Sequence, residues 1–287
     1  MDTSLVHTTF GTVEVALNGP GDGAVVLVFP GGHTTAGTPL GMDLYTDPGY
    51  RTLTLSRPGY GRTEVGPLAA AQFLPAIAQV CHHLGITETM ATVGISFGGL
   101  QAIQVAVSLP HLAPRLILHS CAPSTLPYPD TAVEAAAGPL AFGPHSQRLT
   151  WRAVRALTAT DRGLRLMMSS LSTEPPATWW PTWGAADRAS ARATFASMDS
   201  GSGFLTDLRQ GVPGRGRYRE ALQRSVPCPA LVTASRQDGG VSFTHAEDFV
   251  RTIPRARLVE TSATSHFYWL GPDRPALATA VAGFLSE

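Results

Sequence analysis

An α/β architecture, a mostly parallel, doubly wound eight-stranded sheet with an inserted helical cap, is predicted by three observations on this 287-residue chain. Short apolar runs rich in β-branched residues alternate with stretches of helical period, the rhythm of a parallel sheet covered on both faces. That rhythm stops near Ser124 and resumes after Gly211. One strand-to-helix junction carries Gly94-Ile-Ser96-Phe-Gly98, a spacing suited to a sharp turn that presents a serine.

Taken in order, Leu5–Phe10 and Thr12–Leu17 alternate about Gly11 and read as an antiparallel hairpin at a sheet edge. Ala24–Phe29 is a continuous apolar run, as central parallel strands are, and ends in the glycine-rich loop Pro30–Gly37. Arg51–Leu55 is the next strand and leads into Arg57-Pro-Gly-Tyr-Gly-Arg-Thr63. From Pro67 to Leu84, Phe73, Ile77, Val80 and Leu84 recur at helical spacing, with Gly85 as the stop. The apolar run ending at Ile95 is a buried strand, and Leu100, Ile103 and Val107 mark the helix after it. Arg115–Cys121 is a further strand.

Between 124 and 211 no strand-like run occurs. Amphipathic stretches at Gln147–Thr158 and Asp161–Leu171, and the aromatic tract Pro175–Trp183, predict a helical insertion over the carboxyl ends of the strands. Helix Tyr218–Arg224, strand Ala230–Ala234, helix Phe243–Thr252, strand Arg257–Glu260 and helix Arg274–Leu285 complete the pattern. The expected division is a core of residues 1–123 and 212–287 with a cap of residues 124–211.

Composition narrows the function classes. Hydrophobic residues make up 44% and formal net charge is zero, so neither nucleic acid nor an anionic membrane is an expected partner. All 21 basic residues are arginine, which excludes a lysine base or Schiff base. Cys81, Cys121 and Cys228 are scattered within or beside apolar runs without metal-ligand spacing. They are expected as buried thiols, with no metal and no cofactor. The start Met-Asp-Thr-Ser-Leu lacks the basic and apolar regions of a leader, and no run approaches a membrane span, so the expected location is cytoplasmic.

A serine hydroxyl needs a base to take its proton and a third group to orient that base. In a doubly wound sheet these partners belong on loops after later strands, at the carboxyl edge where the serine turn opens. Asp238, past the strand ending at Ala234, and His266, past the strand ending near Glu260, meet that condition. His245, at the start of an expected surface helix, and His119, inside a strand run, are weaker bases. Asp248 and Glu260 are substitute acids that read as structural. Met167 and Met168 read as packing, and Arg57 as a brace for its own loop.

The turn at Gly94–Gly98, the Arg57–Thr63 loop, the Asp238 loop and the His266 loop span most of the chain, and together they resemble an α/β-hydrolase with a cap domain. The resemblance implies Ser96 as nucleophile, His266 as general base and then acid, and Asp238 as the group holding the imidazole. It implies an oxyanion hole from the Phe97 N–H and one N–H of the Gly31-Gly32-His33 loop, Gly32 being favoured and His33 the alternative. His33 and the tryptophans Trp179, Trp180 and Trp183 are expected at the substrate pocket. The expected reaction is hydrolysis of a small or medium hydrophobic ester through an acyl-enzyme, with a small-molecule substrate as partner and no oligomeric state assigned. The other readings are a proline iminopeptidase-like or C–C bond hydrolase, an acyltransferase, or a binding protein of the same fold without turnover.

Overall fold

Period-two alternation carries the sheet. In the strand Val25–Phe29 (β3), Val26 and Val28 enter one apolar layer while Leu27 and Phe29 enter the other. In a computed structural model describing residues 2–287, and the side chains of all of these but residues 132–134, eight strands form one sheet. Besides β3 they are Ser4–Thr8 (β1), Gly11–Asn18 (β2), Arg51–Leu55 (β4), Ala91–Ile95 (β5), Leu116–His119 (β6), Ala230–Ala234 (β7) and Ala256–Glu260 (β8). Their order is β1-β2-β4-β3-β5-β6-β7-β8. The first two pairings are antiparallel and the rest parallel. The predicted sheet is therefore the observed one. Because β4 lies on one side of β3 and β5 on the other, the chain reverses direction across the sheet there. A crevice opens at such a switch point, above the carboxyl ends of β3 and β5.

The helices are Asp43–Thr46 (α1), Ala70–His83 (α2), Gly98–Ser108 (α3), Ala132–Phe142 (α4), Gln147–Thr158 (α5), Asp161–Ser169 (α6), Pro176–Trp179 (α7), Ala185–Ser197 (α8), Gly203–Gly211 (α9), Gly216–Arg224 (α10), Phe243–Thr252 (α11) and Arg274–Ser286 (α12). Helix α2 buries Phe73, Ile77, Val80 and Cys81 as one stripe against the sheet. Helix α5 buries Trp151 and Val154, and α6 buries Leu164 and Met168, with charged faces turned outward. Thr160 caps α6 by accepting the Gly163 N–H at 3.1 Å. Each fully buried side chain of this size contributes about 1.5–3 kcal/mol.

Helices α4 to α9 all fall between β6 and β7. Backbone bonds tie this segment to four loops at the carboxyl edge. Asp199 N–H donates to His33 O after β3, Gly203 N–H to Gly59 O after β4, and Leu171 O accepts from both Gly239 and His266 N–H, after β7 and β8. The insertion therefore roofs the crevice. No helix among the described residues is long and apolar enough to cross a membrane.

Candidate active site

Ser96 sits between β5 and α3 with φ of 52°, a left-handed conformation that costs a non-glycine residue on the order of 1–3 kcal/mol. Close approach explains the glycines around it. A Cβ on Gly98 would lie 2.1 Å from Phe29 O, and one on Gly94 would lie 2.5 Å from Gly99 Cα. Gly98→Ala is therefore expected to destabilise the fold at the upper end of the roughly 1–3 kcal/mol typical of overpacking. Gly283→Ala, in open space on α12, should instead stabilise by about 0.5–1 kcal/mol. Urea midpoints of the two variants check this, and equal midpoints would contradict it.

Asp238 and His266 come from the loops after β7 and β8. The His266 ring Nδ1 lies 2.9 Å from Asp238 Oδ2 and 3.1 Å from Oδ1. Gly240 and Val241 N–H groups donate to Asp238 Oδ1 at 2.7 and 2.9 Å, so the carboxylate is held from behind while it faces the ring. A Cβ on Gly240 would lie 2.8 Å from the ring, which is why a glycine follows the aspartate loop so closely. Burial of His266 disfavours its charge, but the Asp238 carboxylate, by charge and by hydrogen bond, outweighs that and raises its pKa above 6.5.

Ser96 and His266 line one cavity of about 400 Å³. Among the described residues no hydrogen bond joins the serine hydroxyl to the imidazole. Gly32 and Phe97 line the same cavity. Among the described residues no protein acceptor takes the N–H of either one, and Phe97 directly precedes α3, where helix-start N–H groups favour negative charge.

The walls are aromatic. His33 also lines the cavity, its ring centroid 4.4 Å from that of Phe142 and 4.2 Å from that of Phe204, with Nδ1 2.8 Å from Ser200 Oγ. Burial first, and the Arg57 charge second, hold His33 down to about 3, so it is a neutral wall residue.

Trp179, Trp180 and Trp183 do not line this cavity, contrary to expectation. They pack on one another, with Trp179 and Trp183 centroids 5.1 Å apart, inside the apolar layer between the insertion and the sheet. Their contacts explain the difference. Trp179 Nε1 donates to Glu174 O and Trp183 Nε1 to Thr264 Oγ1, while Arg188 covers the Trp180 ring. The tryptophan that does line the cavity is Trp151, joined there by Met167.

His245 is fully buried rather than on a surface helix. It makes a second serine–histidine–aspartate chain, with Nδ1 2.9 Å from Ser124 Oγ and Nε2 2.8 Å from Asp130 Oδ1. Ser124 is also fully buried and neither residue lines the cavity, so this chain fastens the insertion to α11 and has no access to substrate. His119, in β6, is enclosed by Tyr45 and Thr233 hydroxyls at 2.7 Å each. Asp248 accepts from Thr125, and Glu260 pairs with Arg236. The three cysteines are free and buried, and among the described residues no metal-holding group of His, Cys, Asp or Glu side chains forms.

Such a sheet, with a serine turn at the switch point and an Asp–His pair on the two loops beyond, defines a class. Residues 24–270 match the model of the alpha/beta hydrolase fold, and the chain belongs to that family. It is 29% identical over 281 residues to YcgS, an uncharacterized hydrolase of Bacillus subtilis strain 168, and covers 96% of each chain. An alpha/beta hydrolase fold protein from Nakamurella multipartita superposes with a TM-score of 0.78 at 19% identity, covering 99% of both chains. Esterases are among its structural neighbours. Naproxen esterase from Bacillus subtilis superposes with a TM-score of 0.64 at 17% identity, covering 99% of this chain and 90% of that one.

Proposed function

We propose that this protein is a serine hydrolase that cleaves small or medium hydrophobic esters through an acyl-enzyme on Ser96. One observation carries the reading. The strained serine and the Asp238-held imidazole open into the same apolar cavity, beside two N–H groups without a protein acceptor. In this mechanism His266 Nε2 takes the Ser96 proton as the oxygen attacks the ester carbonyl. Catalytic contacts of this kind commonly tighten only in the substrate complex. Negative charge passes to the carbonyl oxygen, where the Phe97 and Gly32 N–H groups donate to it, each worth about 100- to 1000-fold in turnover. The imidazolium returns its proton to the leaving alkoxide, and water repeats the sequence on the acyl-enzyme. Residues 124–211 act as the cap that shapes the acyl pocket.

A series of p-nitrophenyl esters of graded acyl length tests the reading. Each methylene buried in the aromatic cavity is worth about 0.8 kcal/mol, so kcat/KM should climb about fourfold per carbon until the cavity fills, then fall. Phe142→Ala should move that maximum to longer chains. No turnover of any ester would contradict the proposal, and a maximum unmoved in the variant would contradict the assignment of the wall. Adding an alcohol partitions the acyl-enzyme and measures transfer against hydrolysis.

A further inference from the structure

The loop carrying Gly32 has no regular pairing of its own, yet its peptide planes are held from outside by Arg57, which a residue of the insertion in turn holds. Arg57 is buried behind it. Its Nε donates to Pro30 O at 2.8 Å and its Nη2 to Gly31 O at 3.0 Å. Thr34 Oγ1 donates to the same Gly31 carbonyl at 2.9 Å. A trans peptide is planar, so its C=O and N–H point in opposite directions. The bond that turns Gly31 O toward Arg57 therefore turns the Gly32 N–H the other way, toward the cavity that Gly32 shares with Ser96. A Cβ on Gly31 would lie 3.0 Å from Ser96 Cβ, which shows how near this peptide runs to the hydroxyl.

Arg57 is itself oriented by Asp207, on α9, more than a hundred residues away in the chain. The two side chains form a fork-to-fork pair, 2.5 Å from Nη1 to Oδ1 and 2.8 Å from Nη2 to Oδ2, both nearly inaccessible to water. Tyr60 donates its hydroxyl to Asp207 Oδ2 at 2.6 Å. The carboxylate is thus the one part of the clamp that the insertion supplies.

We propose that Asp207 is a positioning residue which, through Arg57, aims the Gly32 N–H at the oxyanion, so that the acyl-transfer site is complete only while α9 is docked. This rests on the reading of Ser96 as nucleophile. The clamp touches neither substrate nor reacting atoms. It acts on the charge that develops in the transition state, and should spare ground-state binding.

The test compares the wild type with Asp207→Asn, which keeps the shape and one acceptor but loses the charge and the second acceptor. A fluorophosphonate first counts competent Ser96 hydroxyls in both proteins. The variant should titrate to the same site count more slowly, with kcat lower by about 10- to 100-fold, since a misaimed donor loses part of the 100- to 1000-fold of a deleted one. KM should stay within about threefold, where ground-state contacts are untouched. Affinity for a trifluoromethyl ketone, which forms a tetrahedral adduct on the serine, should fall by the same factor as kcat/KM, while affinity for the product carboxylic acid holds. Turnover equal to the wild type would overturn the proposal, as would equal losses of ketone and acid affinity. If Asp207→Asn does not fold, Thr34→Val removes the other donor to Gly31 O. It should show the same selective loss of ketone affinity at about three- to tenfold, the worth of one hydrogen bond, and an unselective loss or none would overturn the proposal. A wild type that never labels at Ser96 would instead remove the underlying reading.

Discussion

Ester turnover should fall by roughly a millionfold in Ser96→Ala where the wild-type rate is high, and by less where it is low. His266→Ala should do nearly the same, because the hydroxyl and the imidazole act as one unit and losing either removes the step. The expectation follows from geometry. Among the described residues, Ser96 carries the hydroxyl that combines a left-handed backbone, a place in the cavity and the Asp238-held imidazole as a cavity neighbour. The Ser124–His245–Asp130 chain offers no substitute, because its serine and histidine are buried away from the cavity. Steady-state rates on an activated ester, with folding checked by urea midpoints, measure the effect. Either variant keeping more than a tenth of the wild-type rate would contradict the assignment.

Asp238→Asn should lower turnover by about ten-thousandfold, less than loss of the serine, because other contacts still hold part of the imidazole's orientation. Its pH profile separates electrostatics from geometry. A general base works only when neutral, so kcat/KM is full above the His266 pKa and falls as pH drops through it. In the wild type that acid limb should lie above 6.5, since the Asp238 charge and hydrogen bond outweigh burial. With asparagine in place the charge is gone while burial remains, so the limb should move to lower pH. An acid limb that stays where it was would show that Asp238 does not set the base.

Much of this was legible in the sequence because local signals and topology agreed. The strands Arg51–Leu55 and Ala230–Ala234 and the helix Phe243–Thr252 have the predicted bounds, being apolar runs or stripes closed by clear punctuation. Ser96, Asp238 and His266 lie on loops after β5, β7 and β8, as the chain order implied, because a parallel sheet puts all such loops at one edge. The insertion was less legible. Alanine-rich α4 and α8 give little periodicity, and an aromatic cluster reads alike whether it packs on itself, as Trp179 and Trp183 do, or walls a pocket. His245 was misread because its partner Asp130 lies 115 residues away and nothing local signals burial. Asp207 left no signal for the same reason, with 150 residues separating it from Arg57.

Covalent capture with a fluorophosphonate, followed by peptide mapping of the adduct, bears most directly on the chemistry. One phosphonyl group per chain should attach to Ser96, slowly in His266→Ala and not at all in Ser96→Ala. A folded wild-type protein that stays unlabelled, or carries its label on another side chain, would contradict the account.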